Sequence, residues 1–187
     1  MPEIKKIAGK IPVIDVITPT VEFAINQTRT SVLGVIGTRA TTHSRAYQAY
    51  IASRGKRFKV VSKACPLFVP LVEEGLVRGI AVESIAKNYL KEINESNADV
   101  LILGCTHYPM LSSVIKKMSR RRIKIIDSAF PTAEKLKTVL IENNLLNLKN
   151  KNPQLKFYVT DNPVRSLQIA NLFFDDKFPG KIEKVKI

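Results

Sequence analysis

Along the chain, short runs of β-branched and aliphatic residues alternate with longer stretches in which apolar positions recur every three or four residues. The short runs are IPVIDVI (11–17), SVLGVIG (31–37), FKVVSKA (58–64), DVLILGC (99–105), IKIIDSA (123–129) and KFYVTD (156–161). Each predicts a buried or half-buried strand. The amphipathic stretches predict helices near 19–28, 40–53, 69–96, 109–119, 131–144 and 163–175. Several carry a start signal: Thr18 before Pro19, Asn162 before Pro163, and Ser128 or Ala129 ahead of Pro131. Strand followed by helix, six times over, predicts an α/β fold of parallel sheets flanked by helices. NNLLNLKNKNPQ (143–154) predicts a long loop, and GKIEKVKI (180–187) a loose basic tail.

In open parallel sheets, ligands collect beyond the carboxyl ends of the strands. That rule selects 38–44, 64–66, 105–109, 128 and 160–161. The first and third groups hold Thr38, Thr41, Thr42, Ser44 and Thr106, together with a thiol and both histidines. They predict a small-molecule pocket without a Gly-rich phosphate loop.

Composition narrows the classes. A chain of 187 residues with 45% hydrophobic content fits one ordinary domain or two small lobes with a sizeable core, and argues against disorder. There is no uncharged apolar run of about 18 residues, and MPEIKKIAGK lacks the apolar stretch of a signal peptide. The expectation is a cytoplasmic protein with no membrane partner. Cys65 and Cys105, forty residues apart, form neither a disulfide framework nor a zinc spacing, so reduced thiols and no metal are expected. A net charge of +14 could signal nucleic acid, but the basic residues are mostly scattered. The tightest cluster, SRRRIK (119–124), falls between a predicted helix and a predicted strand, where a solvated turn is the ordinary reading. Nucleic acid is therefore not the expected partner.

Cys105 ends a buried strand, and the turn after it opens a helix whose free amides and dipole would favour a thiolate. A lone cysteine is more often core packing. His107, two residues on, changes that balance, because imidazole exchanges protons near neutral pH with a thiol or with a substrate group. Thr106 could add a hydroxyl and an amide for a carboxylate. Thr38 and Thr41 lie just past a strand and at a helix start, which suits either an anion site or simple capping. His43 reads as a first-turn surface residue, Cys65 as packing among apolar neighbours, and Glu73 as solvated surface.

LGCTHYPML (103–111) resembles the second cysteine signature of the aspartate/glutamate racemase family, and of its glutamate racemase branch in particular. VIGTRATTHSRAYQ resembles the family's G-T-x-A-T-x-x-S-x-x-Y segment, ACPLFVPLVEEG its C-P-x-F-V-P-L-V-E segment, and FYVTDNP its C-terminal strand and turn. With Asp127 and Ser128, the resemblance runs from about residue 11 to about residue 175. It implies interconversion of L- and D-glutamate for peptidoglycan precursors, without metal or other cofactor, by two cysteines on opposite faces of the α-carbon. Cys105 would deprotonate L-glutamate, His107 would assist it, and Thr106, Thr38 and Thr41 would contact substrate. Glu73 falls where the family carries an assisting acid.

The family's opening D-S-G-x-G-G stretch and its first catalytic cysteine, in C-N-T, have no counterpart in this sequence, and Cys65 matches a non-catalytic cysteine. The expectation is a racemase short of roughly its first eighty residues, judged against a typical domain pair. Residues 1–17 would then be a remnant of the first lobe, 18–128 a complete α/β lobe carrying the second cysteine, and 129–187 the C-terminal part of the first lobe with its tail. Apolar faces and strand edges of the incomplete lobe would lie open. One thiol cannot invert a stereocentre by the two-base route, so a separate N-terminal half or a homo-oligomer would have to complete the site. The alternatives are a non-catalytic remnant and a module that binds small dicarboxylates.

Overall fold

The computed structural model describes residues 2–147, 154–174 and 177–186, and the chain divides into two compact units, Met1–Leu146 and Asn147–Ile187. In the first unit, β1 (Val32–Gly37), β2 (Lys59–Ala64), β3 (Val100–Gly104) and β4 (Lys124–Ile126) form one sheet in the order β2-β1-β3-β4, with every neighbouring pair parallel. Its helices are α1 (Pro2–Ala8), α2 (Ile17–Ile25), α3 (Arg39–His43), α4 (Ala46–Ser53), α5 (Phe68–Glu73), α6 (Ile80–Glu95), α7 (Ser112–Met118) and α8 (Ala129–Glu142). The architecture is the α/β fold that the alternating pattern predicts.

Side-chain alternation along β1 and β3 builds two cores. Leu33, Val35, Val100 and Ile102 pack with Val21 and Ala24 of α2 and with Tyr47 and Ile51 of α4. On the opposite face Ile36, Leu101 and Leu103 pack with Phe68 and Val72 of α5, Leu90 and Ile93 of α6, and Ile115 of α7. Burial on both faces explains why these two strands read as continuous apolar runs. At the sheet edge, β2 carries Lys59 and Lys63, charges that oppose further strand pairing.

The remaining elements depart from expectation in instructive ways. IPVIDVI forms no ladder; it runs as irregular chain into α2. Pro12 has no amide to donate to a sheet. Asp15 ends the run as a helix-start group: its carboxylate accepts from the amides of Ile17 (2.9 Å) and Thr18 (2.7 Å) and from the Thr18 hydroxyl (2.9 Å). The helix expected at 40–53 is two, α3 and α4, broken where Arg45 adopts φ 54°. The stretch 69–96 is likewise split into α5 and α6, with Gly75 (φ 71°) and Gly79 (φ 107°) in the intervening turn. The helix expected at 109–119 begins as a 3-10 turn over Tyr108–Leu111 before α7.

In the second unit, β5 (Phe157–Val159), α9 (Pro163–Phe173) and β6 (Ile182–Lys184) make a strand–helix–strand unit whose strands pair in parallel. The expected loose tail at 180–187 thus contains a strand. Asn162 caps α9 by accepting from the amides of Val164 and Arg165. Phe157 and Phe174 each stack on Phe178, at centroid separations of 4.5 and 5.4 Å. Residues 148–153 of the expected loop at 143–154 lie outside the described residues.

Candidate active site

The order β2-β1-β3-β4 sends successive connections in opposite directions from β1 and β3, and the crevice at such a switch point is where open parallel sheets bind ligands. Gly37 and Gly104 are register partners at the carboxyl ends of these two strands. Thr38 and Cys105 therefore leave the sheet side by side. Sequence reasoning finds each strand end separately; the pairing of these two ends is a property of the strand order.

Thr38 caps α3 from an extended backbone, and its Oγ1 accepts from the Thr41 amide at 3.2 Å. The same Oγ1 is 3.0 Å from Thr41 Oγ1. Capping and ligand presentation are thus compatible: the cap itself sets two hydroxyls together. Thr42 differs, since its hydroxyl turns back to donate to the carbonyls of Thr38 and Arg39. His43 is exposed at the end of α3.

Cys105 is half-buried, and its Sγ is 4.0 Å from His107 Nδ1, a long contact even for sulfur. The other ring nitrogen, Nε2, is 3.7 Å from Oε1 of Glu73, at the end of α5. Glu73, solvated surface by its local sequence, is in fact set against the histidine. Thr106 is exposed on the turn between Cys105 and His107. The helix-start effect expected to favour a thiolate is outweighed: burial pushes the Cys105 thiol above its ordinary value, and the amides of His107 and Tyr108 only partly offset this. The short 3-10 turn supplies two amides, with no long helix behind them.

A family model described as Asp/Glu/hydantoin racemase matches residues 1–135. The chain belongs to this racemase family. It is 40% identical over 184 residues to the glutamate racemase of Chlorobium phaeobacteroides, covering 98% of this chain and 67% of that protein. With the glutamate racemase of Chlorobaculum parvum it shares 39% over 176 residues, 94% of this chain and 65% of the relative. Among solved structures, glutamate racemase from Francisella tularensis in complex with D-glutamate is 38% identical with a TM-score of 0.87, covering all of this chain and 67% of that one. A glutamate racemase isoform from Bacillus anthracis is 34% identical with a TM-score of 0.88, covering all of this chain and 68% of that one. The chain thus spans about two thirds of the length of the racemases it matches.

In this racemase-family chain the two thiols are sharply different. Cys65 is fully buried, its Sγ donates to the Lys63 carbonyl at 3.8 Å, and burial pushes its thiol up to about 12. Its backbone has a second role, which the sequence did not announce. The Cys65 amide donates to the Gly37 carbonyl at 2.8 Å, and the Tyr108 hydroxyl donates to the Cys65 carbonyl at 2.9 Å. Tyr108, stacked edge-on to Phe68 at 5.1 Å, thereby ties the turn after β3 to the ends of β1 and β2. Its only signal in the sequence was its place in CTHYP. Among the described residues no group of three or more His, Cys, Asp or Glu gathers to hold a metal ion. No described helix is long and apolar enough to cross a membrane.

Proposed function

We propose that this chain supplies one half of a cofactor-independent glutamate racemase site, in which Cys105 is the base that faces L-glutamate. The observation that carries the reading is the line Cys105, His107, Glu73 set beside the Thr38–Thr41 hydroxyl pair at the β1/β3 switch point. The identity to glutamate racemases, one of them solved with D-glutamate, supports glutamate as the substrate.

In this reading the thiolate of Cys105 takes the α-proton. An S–H bond forms as the Cα–H bond breaks, and the electron pair left on the α-carbon spreads into the adjacent carboxylate. A thiol on the far face then gives its proton to the carbon and inverts it. Burial holds Cys105 protonated at rest, so the thiolate must be made within the site, and His107 is the group placed to receive that proton. Glu73 orients the imidazole through Nε2. Thr38, Thr41 and Thr106 receive the carboxylates. Cys65 is buried away from solvent, so the one remaining thiol within these 187 residues is not placed to serve as the opposing base, which another segment or a second copy would supply. The product, D-glutamate, would serve peptidoglycan precursors in the cytoplasm.

The raised Cys105 thiol favours one second reading, a module that binds a dicarboxylate without turning it over. Mixing the chain with the segment of the Chlorobium phaeobacteroides racemase that it leaves unmatched, and following D-glutamate formation by circular dichroism, separates the two. Turnover that appears on mixing and disappears with Cys105→Ala supports the half-site. Glutamate binding without turnover in the mixture supports the binding module, and turnover indifferent to Cys105→Ala contradicts the assignment.

A further inference from the structure

Tyr47 sits in the first turn of α4 with 3% of its surface exposed, inside the core cluster that joins α2 and α4 to the sheet. Gly104 admits it. A Cβ on Gly104 would stand 3.1 Å from Cε2 of Tyr47 and 3.5 Å from Cγ2 of Thr41. The ring edge therefore lies against the strand end from which Cys105 departs, next to a member of the hydroxyl pair.

The Tyr47 hydroxyl has no hydrogen-bond partner among the described residues, and yet the enclosed hydroxyls without partners there are those of Ser62 and Thr132. Oη is therefore not fully sealed from solvent, although the side chain as a whole is enclosed. A phenylalanine would fill the same apolar cluster without bringing a polar atom that needs a partner. Burial, reinforced by the Asp15 carboxylate and by the Cys105 sulfur once it ionises at alkaline pH, pushes the phenol up to about 12. It stays neutral, a donor, at any physiological pH.

We propose that Tyr47 Oη is a substrate-contacting group of this site, donating a hydrogen bond to a carboxylate of the bound dicarboxylate beside Thr38 and Thr41. The inference rests on the glutamate reading above and extends it to a residue on α4, one helix beyond the capped turn. A neutral phenol donating to a carboxylate makes a charge-assisted bond that is stronger than a neutral pair and selects for the anion.

The test is a pair of NMR titrations, L- and D-glutamate into the full chain and into Tyr47→Phe, with melting temperatures measured in parallel. Tyr47→Phe keeps the ring against Gly104 and removes one oxygen. Binding about tenfold weaker at an unchanged melting temperature is the expected result. Equal affinity in the two proteins overturns the inference and leaves the glutamate reading standing, whereas a wild-type chain that binds neither enantiomer at millimolar concentration overturns both. Should the variant melt early, 3-fluorotyrosine placed at position 47 gives a second readout. Its fluorine resonance must move saturably with glutamate, and a stationary resonance at saturation overturns the proposal.

Discussion

Gly37 and Gly104 are register partners at the carboxyl ends of β1 and β3, and a side chain on either would be tightly crowded. A Cβ on Gly37 would meet Cβ and Cγ2 of Thr41 at 3.0 Å; one on Gly104 would meet the Ile36 carbonyl oxygen at 3.0 Å and the Tyr47 ring at 3.1 Å. The close approach of Thr41 and Tyr47 to the strand ends depends on these two absences. Gly104→Ala should therefore cost about 1–3 kcal/mol in chemical denaturation, since the nearest atom is backbone and yields little. A variant as stable as the parent would show that the strand ends are looser than the contacts imply.

The two thiols should separate cleanly by alkylation. Cys105 is half-buried and Cys65 fully buried, so iodoacetamide should label Cys105 in the folded protein and reach Cys65 only on unfolding. Because the Cys105 thiol is raised, its labelling rate should climb steadily from pH 7 past the ordinary thiol value near 8.5, with no plateau below it. Peptide mass spectrometry over a pH series reads both outcomes. Preferential labelling of Cys65 would contradict the burial pattern, and a plateau near pH 6 would mean a preformed thiolate.

Stability should fall on the alkaline side. Cys65 and Tyr47 are each pushed up to about 12 by burial, and Tyr108 is raised in the same way. The folded chain keeps protons that the unfolded chain releases at about 8.5 for cysteine and about 10 for tyrosine. Above those values the unfolded state binds fewer protons, so the stabilisation is complete below them and is lost as pH rises toward 12. Cys65→Val should flatten the decline between about pH 8.5 and 10, and comparing variant with parent cancels the change in overall charge. Parallel curves for the two proteins would show that Cys65 does not titrate differently on folding.

Much of this architecture was legible because burial on both faces leaves a mark: VLGVIG and VLILG are apolar without interruption, and they are the two central strands. The misreadings have local causes. IPVIDVI has strand-like composition, but Pro12 and Asp15 within it end pairing and begin a helix. IEK at 182–184 has too few residues and too much charge to announce the strand that it forms with β5. At the site, the turn residues Thr38, Thr41, Cys105 and His107 could be named from the sequence. Their adjacency comes from strand order, and the ties made by Glu73, Tyr108 and Tyr47 bridge segments up to 57 residues apart in the chain (104 less 47) that no periodicity connects.

The central claim is that Cys105 can remove the α-proton of glutamate. The direct measurement is loss of the α-proton signal of L-glutamate in D2O, followed by NMR with the purified chain and with Cys105→Ala. The half-site predicts exchange by the parent chain, with or without inversion, and none above background by the variant. Equal exchange rates for parent and variant, or no exchange by the parent even when the opposing segment is supplied, would contradict it.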